Sequence, residues 1–123
     1  MPASKADALK TILNGLSSSS GDIEASAVVS TDGLMIASNF PAGLDEDRVA
    51  AMSAALLAMG ERTAKELERG GLDQVFIKGE KGNVVMLSAG REGVLTTLTT
   101  PKAKLGLVFL DMKRAADEIA RII

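Results

Sequence analysis

Apolar residues along this chain recur at helical spacing near both ends and in short strand-like runs between them, but residues 45–69, DEDRVAAMSAALLAMGERTAKELER, follow neither rule. Between Arg48 and Glu61 stand twelve residues, and only Ser53 and Gly60 interrupt a run of Val, Ala, Met and Leu. A surface helix keeps a polar stripe, so a helix that is apolar on every side needs cover on every side. One small sheet covers one side. The second cover has to come from another copy of the chain or from another protein. The alternative is a central helix enclosed within a monomer, which a chain of this length rarely achieves.

The ends of this helix are signalled. Asp45 is the expected N-cap, Leu44 and Val49 have staple spacing, and Glu46 and Asp47 place negative charge at the positive end of the helix dipole. Lys65 and Arg69 suit the last turn, and Gly70 is expected to take the left-handed conformation that stops the helix. Val49, Met52, Leu56, Met59 and Thr63 give one side bulk. Ala51, Ala54, Ala55 and Ala58 make a low-relief side that lets another backbone come close.

At the N-terminal end, Ser4 with Asp7 resembles a capping box, and Leu9, Ile12, Leu13 and Leu16 follow at i, i+3, i+4 and i+7. SSSSGD, residues 17–22, is expected to break this helix and form a flexible connector. EASAVVSTDGLMIAS, residues 24–38, reads as a hairpin about Asp32-Gly33, a dipeptide that tolerates the positive φ angles of a tight turn. NFPAGL, residues 39–44, is a loop. After Gly70-Gly71 come three strand-like runs. Residues 72–78 put Val75 and Ile77 on one face and Leu72, Gln74 and Phe76 on the other. Residues 84–87 are continuously apolar, and residues 94–99 are rich in Val, Leu and Thr. Gly79-Glu80-Lys81-Gly82 and Gly90-Arg91-Glu92-Gly93 are hairpin-length links. Thr100-Pro101 leads into a last helix with a buried stripe of Leu105, Val108, Met112, Ala115 or Ala116, Ile119 and Ile122.

The predicted order is α-β-β-α-β-β-β-α. Hairpin-short links make the sheet antiparallel and five-stranded, with helices on its faces, an α+β fold. The length of 123 residues, 46% hydrophobic and 24% charged, fits one cytosolic-type domain spanning 1–123.

Charge and residue usage then narrow the chemistry. With net charge −2 and pI near 5.1 the chain lacks the electrostatic footprint of a nucleic-acid binder, and three aromatics, Phe40, Phe76 and Phe109, make no base-stacking platform. Without His or Cys there is no usual zinc site, His-dependent triad, thiol nucleophile or disulfide. No metal or cofactor is expected. No signal peptide or membrane span is read, and the first helix lacks the basic face and bulky aromatics of a membrane-lying one. Neither glycine-bearing loop matches GxxxxGK[ST] or GxGxxG, and both join strands, so they are not phosphate cradles. Arg48, Arg62, Arg69 and Arg91 could act as an arginine finger for another protein, but surface pairing and solubility are their ordinary roles. Glu46 and Asp47 adjoin in sequence and do not face one another as an acid/base pair. No catalytic residue emerges.

Taken together, VVSTDGLMIAS, the Ala/Met-rich helix after it, and LGLVFLDMKRAADEIARII resemble the roadblock family over residues 5–122. The resemblance implies a profilin-like sheet with the first and last helices on one face and the central helix on the other. It also implies a homodimer joined through the central helix and the strand at 72–78, here by Val49, Met52, Ala55, Leu56, Met59, Leu72, Gln74 and Phe76. The implied partner is a Ras-like small GTPase, which roadblock proteins scaffold, localise or stimulate, in the cytoplasm. Glu61, Arg62, Lys65 and Arg69, near the end of the central helix, are candidate GTPase contacts. Two further readings stand beside this one: a structural dimerisation module of a motor or membrane-associated assembly, as in dynein light chains, and a small-ligand sensor, for which the sequence offers little.

Overall fold

The structure, a computed structural model, describes residues 4–123, so the first three residues of the expected domain lie outside it. Five strands, β1 (Ile23–Ser30), β2 (Met35–Asn39), β3 (Val75–Gly79), β4 (Gly82–Ala89) and β5 (Gly93–Thr99), form one antiparallel sheet in the order β2-β1-β5-β4-β3. Helices α1 (Lys5–Ser19) and α3 (Leu105–Ile122) lie on one face and α2 (Glu46–Glu66) on the other. The order of elements is the one that the sequence predicts.

The sheet separates two cores by strand alternation. Val28, Val85, Leu87 and Leu95 point toward α1 and α3, where they meet Leu9, Leu13, Val108, Met112 and Ile119. Ala27, Val29, Met86 and Val94 point the other way, to Ala50 and Leu57 of α2. All of the stripe expected on α3 between Val108 and Ile119 is buried. β1 and β5 pair along their length, so strands distant in sequence form the centre and the local hairpins form the margins.

Several boundaries differ from expectation, each for a visible reason. The serine stretch does not break α1 at residue 17. The helix runs to Ser19 because Leu16 is buried and the Ser18 and Ser19 hydroxyls donate back to the Asn14 and Leu16 carbonyls at 2.9 and 2.7 Å. In the β1–β2 turn only Gly33 takes positive φ, at 89°. Gly33 N–H donates to the Ser30 carbonyl and Ser30 N–H to the Leu34 carbonyl, a three-residue turn ending in a glycine bulge and not a two-residue one.

The stop of α2 is also displaced. Glu68, not Gly70, takes the left-handed conformation that ends the helix, with φ 58°. Arg69 N–H reaches back to the Ala64 carbonyl at 2.7 Å and Glu68 N–H to Lys65 at 3.1 Å, the two bonds of a Schellman motif. Gly70 is left-handed as well, φ 85°, but serves the link that follows. That link runs on to residue 74, and β3 begins at Val75, three residues later than expected.

Candidate functional site

α2 turns the Ser53 hydroxyl inward and much of its apolar bulk outward. The positions buried against the sheet are Ala50, Ser53 and Leu57. Thr96 of β5 donates to the Ser53 hydroxyl at 2.8 Å, a buried bond that sets where the helix sits on the sheet. Gly60 allows the next turn to come close: a Cβ there would lie 3.0 Å from Val75 and 3.1 Å from Leu72. The outer side is left to solvent. Met52 is 55% and Met59 61% exposed, and Ala51, Ala55 and Ala58 are exposed beside them.

The bulky flank of the helix is the one nearer β3. Val49, Met52 and Leu56 line an apolar cleft of about 190 Å³ whose other wall is Ile77, Val84, Met86 and Leu98. Ser53 and Thr96, bonded to each other, close its floor. The low-relief flank faces the opposite way, toward Gly33 of the β1–β2 turn, where a Cβ would lie 3.6 Å from Ala51 and 3.9 Å from Ala54.

β3 is an edge strand with usable backbone. Its two-residue turn pairs Gly79 with Gly82, which makes Ile77 with Val84 and Val75 with Met86 the hydrogen-bonded pairs of the hairpin. Phe76 and Lys78 occupy the intervening positions, so their N–H and C=O groups project away from β4. Strand edges of this kind template pairing with another strand.

The structure divides the residues that the sequence grouped. Val49, Met52, Ala55, Leu56 and Met59 form the outer and flanking surface of α2, and Leu72 is half-buried beneath it. Gln74 and Phe76 lie on the other face of the sheet, with the Phe76 ring edge-on to Phe109 of α3 at 6.0 Å between centroids. On the α2 side their place is taken by Val75 and Ile77, the latter 40% exposed. The alternation of 72–78 carried that signal, but alternation alone does not say which face looks at which helix.

The charged candidates gather around the end of α2. Glu61 and Lys65 border an open concavity with Glu68 and Leu72. Arg62 pairs with Glu66 at 3.0 Å along the helix, both exposed, and Arg69 donates to the Leu67 carbonyl. Among the described residues no group of three His, Cys, Asp or Glu side chains is placed to hold a metal, and no helix is long and apolar enough to cross a membrane. What the site offers chemically is apolar surface and an open strand edge, bordered by charge at one end.

Residues 10–99 match the family model described as the Roadblock/LC7 domain. An uncharacterized protein of Methanocaldococcus jannaschii is 48% identical over 97 residues, spanning 79% of this chain and 84% of its own length. Among solved structures, Myxococcus xanthus MglB superposes with a TM-score of 0.88 at 24% identity, covering 99% of this chain and 92% of its own. An MglB with tetrameric arrangement gives 0.88 at 23% identity with the same coverage. Profilin Ib of Acanthamoeba castellanii gives 0.63 at 16% identity, over 92% of this chain and 97% of its own. At these identities the solved structures speak for the fold.

Proposed function

This chain belongs to the Roadblock/LC7 family, and from that premise we propose that it is a homodimeric, non-enzymatic regulator or scaffold of a Ras-like small GTPase. The observation that carries the dimer is the outward face of α2, where Met52 and Met59 stand more than half exposed beside a continuous alanine surface. An uninterrupted apolar surface on a helix is a protein interface before it is anything else. The β3 edge adjoins it, so the same helix and strand of a twin would cover the apolar face and extend the sheet in one operation. A two-fold arrangement of this kind is self-complementary and closes on itself.

The GTPase is supported by family membership, and its contacts are proposed at the charged end of α2, at Glu61, Arg62, Lys65 and Arg69. Stimulation, where it occurs, is proposed to work by fixing the GTPase's own catalytic groups, with no residue inserted from this chain. The test pairs the chain with the GTPase encoded beside its gene. GTP turnover is measured with and without the chain, alongside a pull-down in both nucleotide states. Nucleotide-dependent binding is expected. Absence of binding in either state removes the GTPase reading, and stable binding that ignores nucleotide leaves the structural dimerisation module in its place.

A further inference from the structure

We propose that Met52 and Met59 are modification sites, oxidised to sulfoxides by a hydroperoxide, and that this oxidation releases the α2 face from its twin. The sites stand on composition and burial. Their effect on association rests on the α2 pairing proposed above.

Oxidisable side chains are few in this chain and unevenly placed. It has six methionines and no Cys, Trp, Tyr or His, so no thiolate competes for an oxidant. Met86 and Met112 are 3% and 0% exposed, one in each core, and Met35 is half-buried against the core beneath α2. Met52 and Met59 are left as the open thioethers among the described residues, each more than half exposed. They stand seven residues apart, two turns along one stripe of the helix. Sensitivity to oxidation is thus gathered on the surface from which the dimer is built.

The step needs only a hydroperoxide. The thioether sulfur attacks its outer oxygen, the S–O bond forms as the O–O bond breaks, and the proton of the transferred oxygen passes to the departing one, giving water or an alcohol. Sulfur loses two electrons and the peroxide gains them. The product is a polar, chiral side chain in place of a flexible apolar one.

On the free helix the new S=O group is solvated. Pairing would bury it where nothing can donate to it. Ala51, Ala55 and Ala58 beside the methionines carry no donor, and the Thr63 hydroxyl, one turn beyond Met59, already donates to the Met59 carbonyl at 2.7 Å. A two-fold pairing sets the same surface opposite, so the twin brings no donor either. Burying an acceptor without a partner opposes association. The dimer also shields its own thioethers, so oxidation draws on the free form, and each sulfoxide made enlarges that population by mass action.

The test treats the full chain with hydrogen peroxide across a range of protein concentrations and maps the sulfoxides by peptide mass spectrometry. At the lowest concentration Met52 and Met59 should be oxidised at least about tenfold faster than Met86 and Met112, which require local opening. Their rates should fall as concentration rises. Sedimentation equilibrium of the doubly oxidised chain should show association weakened at least about tenfold with circular dichroism unchanged. Reduction by the two epimer-specific methionine sulfoxide reductases should restore it. Met52→Leu with Met59→Leu removes both sulfurs at similar volume, and peroxide should leave that variant's dissociation constant, whatever its value, where it was. Oxidation that begins at Met35, Met86 or Met112, loss of association by the Leu variant on treatment, or reduced thioethers that fail to recover pairing overturns the inference. A dimer that keeps its full strength with both sulfoxides in place overturns it while leaving the α2 pairing intact. An untreated chain that stays monomeric at high concentration removes the pairing itself, and the release with it.

Discussion

The sheet ends on β2 at one side and on β3 at the other, and the two edges are finished differently. At β2 the Lys10 ammonium of α1 sits on the Ser38 carbonyl at 2.7 Å, the Ser38 hydroxyl is bonded to Glu46, and Asn39 donates to Ser17. A register irregularity between Val28 and Val29 and Pro41 just beyond the strand complete the block. These are the devices by which proteins keep an edge from adding a strand. β3 has none of them on its outer backbone among the described residues: Phe76 and Lys78 present free peptide groups, and the apolar flank of α2 stands directly above. The difference teaches that one edge is closed by the fold itself while the other keeps its outward peptide groups open beside apolar surface.

The largest effect expected from breaking this asymmetry comes from Met59→Glu. A charge in the paired surface should weaken association by about 3 kcal/mol, more than a hundredfold, while the exposed position spares the fold. Sedimentation equilibrium checks it, and a folded variant that stays dimeric contradicts the placement of the contact on α2. Next is Lys78→Pro, which removes an N–H that points away from β4 and so costs the hairpin no ladder bond. It should weaken dimerisation by about 1–2 kcal/mol with circular dichroism preserved. A full-strength dimer in that variant would mean that the sheets do not join at β3.

Smaller effects sharpen the contrast. Thr97 lies in the central strand β5, buried and with no hydrogen-bond partner for its hydroxyl. Thr97→Val should raise unfolding free energy by about 1 kcal/mol in urea without touching association, which separates core stability from edge behaviour. Glu68→Gly relieves the left-handed residue leading to β3 and should stabilise by roughly 0.5–1 kcal/mol, read in the same titration. Least of all, Lys10→Ala uncovers the Ser38 carbonyl at β2 and should cost less than about 1 kcal/mol at this exposed position. Its informative readout is light scattering, where a rise in higher-order species shows that Lys10 guards the edge.

Much of the architecture was legible because it is written in local pattern. The period of Leu9, Leu13 and Leu16, the Asp45 cap and the Val108 to Ile119 stripe each determine an element from its own residues. The central helix was legible in a further way, since a run broken only by Ser53 and Gly60 leaves apolar side chains outside, as at Met52 and Met59, when one face packs on the sheet. Its sheet-facing side was not. Ser53 reads as an interruption of that segment, and only the Thr96 hydroxyl opposite makes it the inward position. The capped and open edges were equally hidden, because Lys10 and Ser38 stand far apart in the chain and neither carries a motif.

By itself the sequence determined the elements, their order, the antiparallel sheet and the surplus of apolar surface on α2, since each follows from spacing within a few residues. Tertiary structure alone decided which face of β3 joins α2, placing Ile77 there and Phe76 against Phe109, and which sheet edge stays open. The reason is that strand alternation separates two faces without ranking them. Which face meets which helix is settled by how distant segments pack.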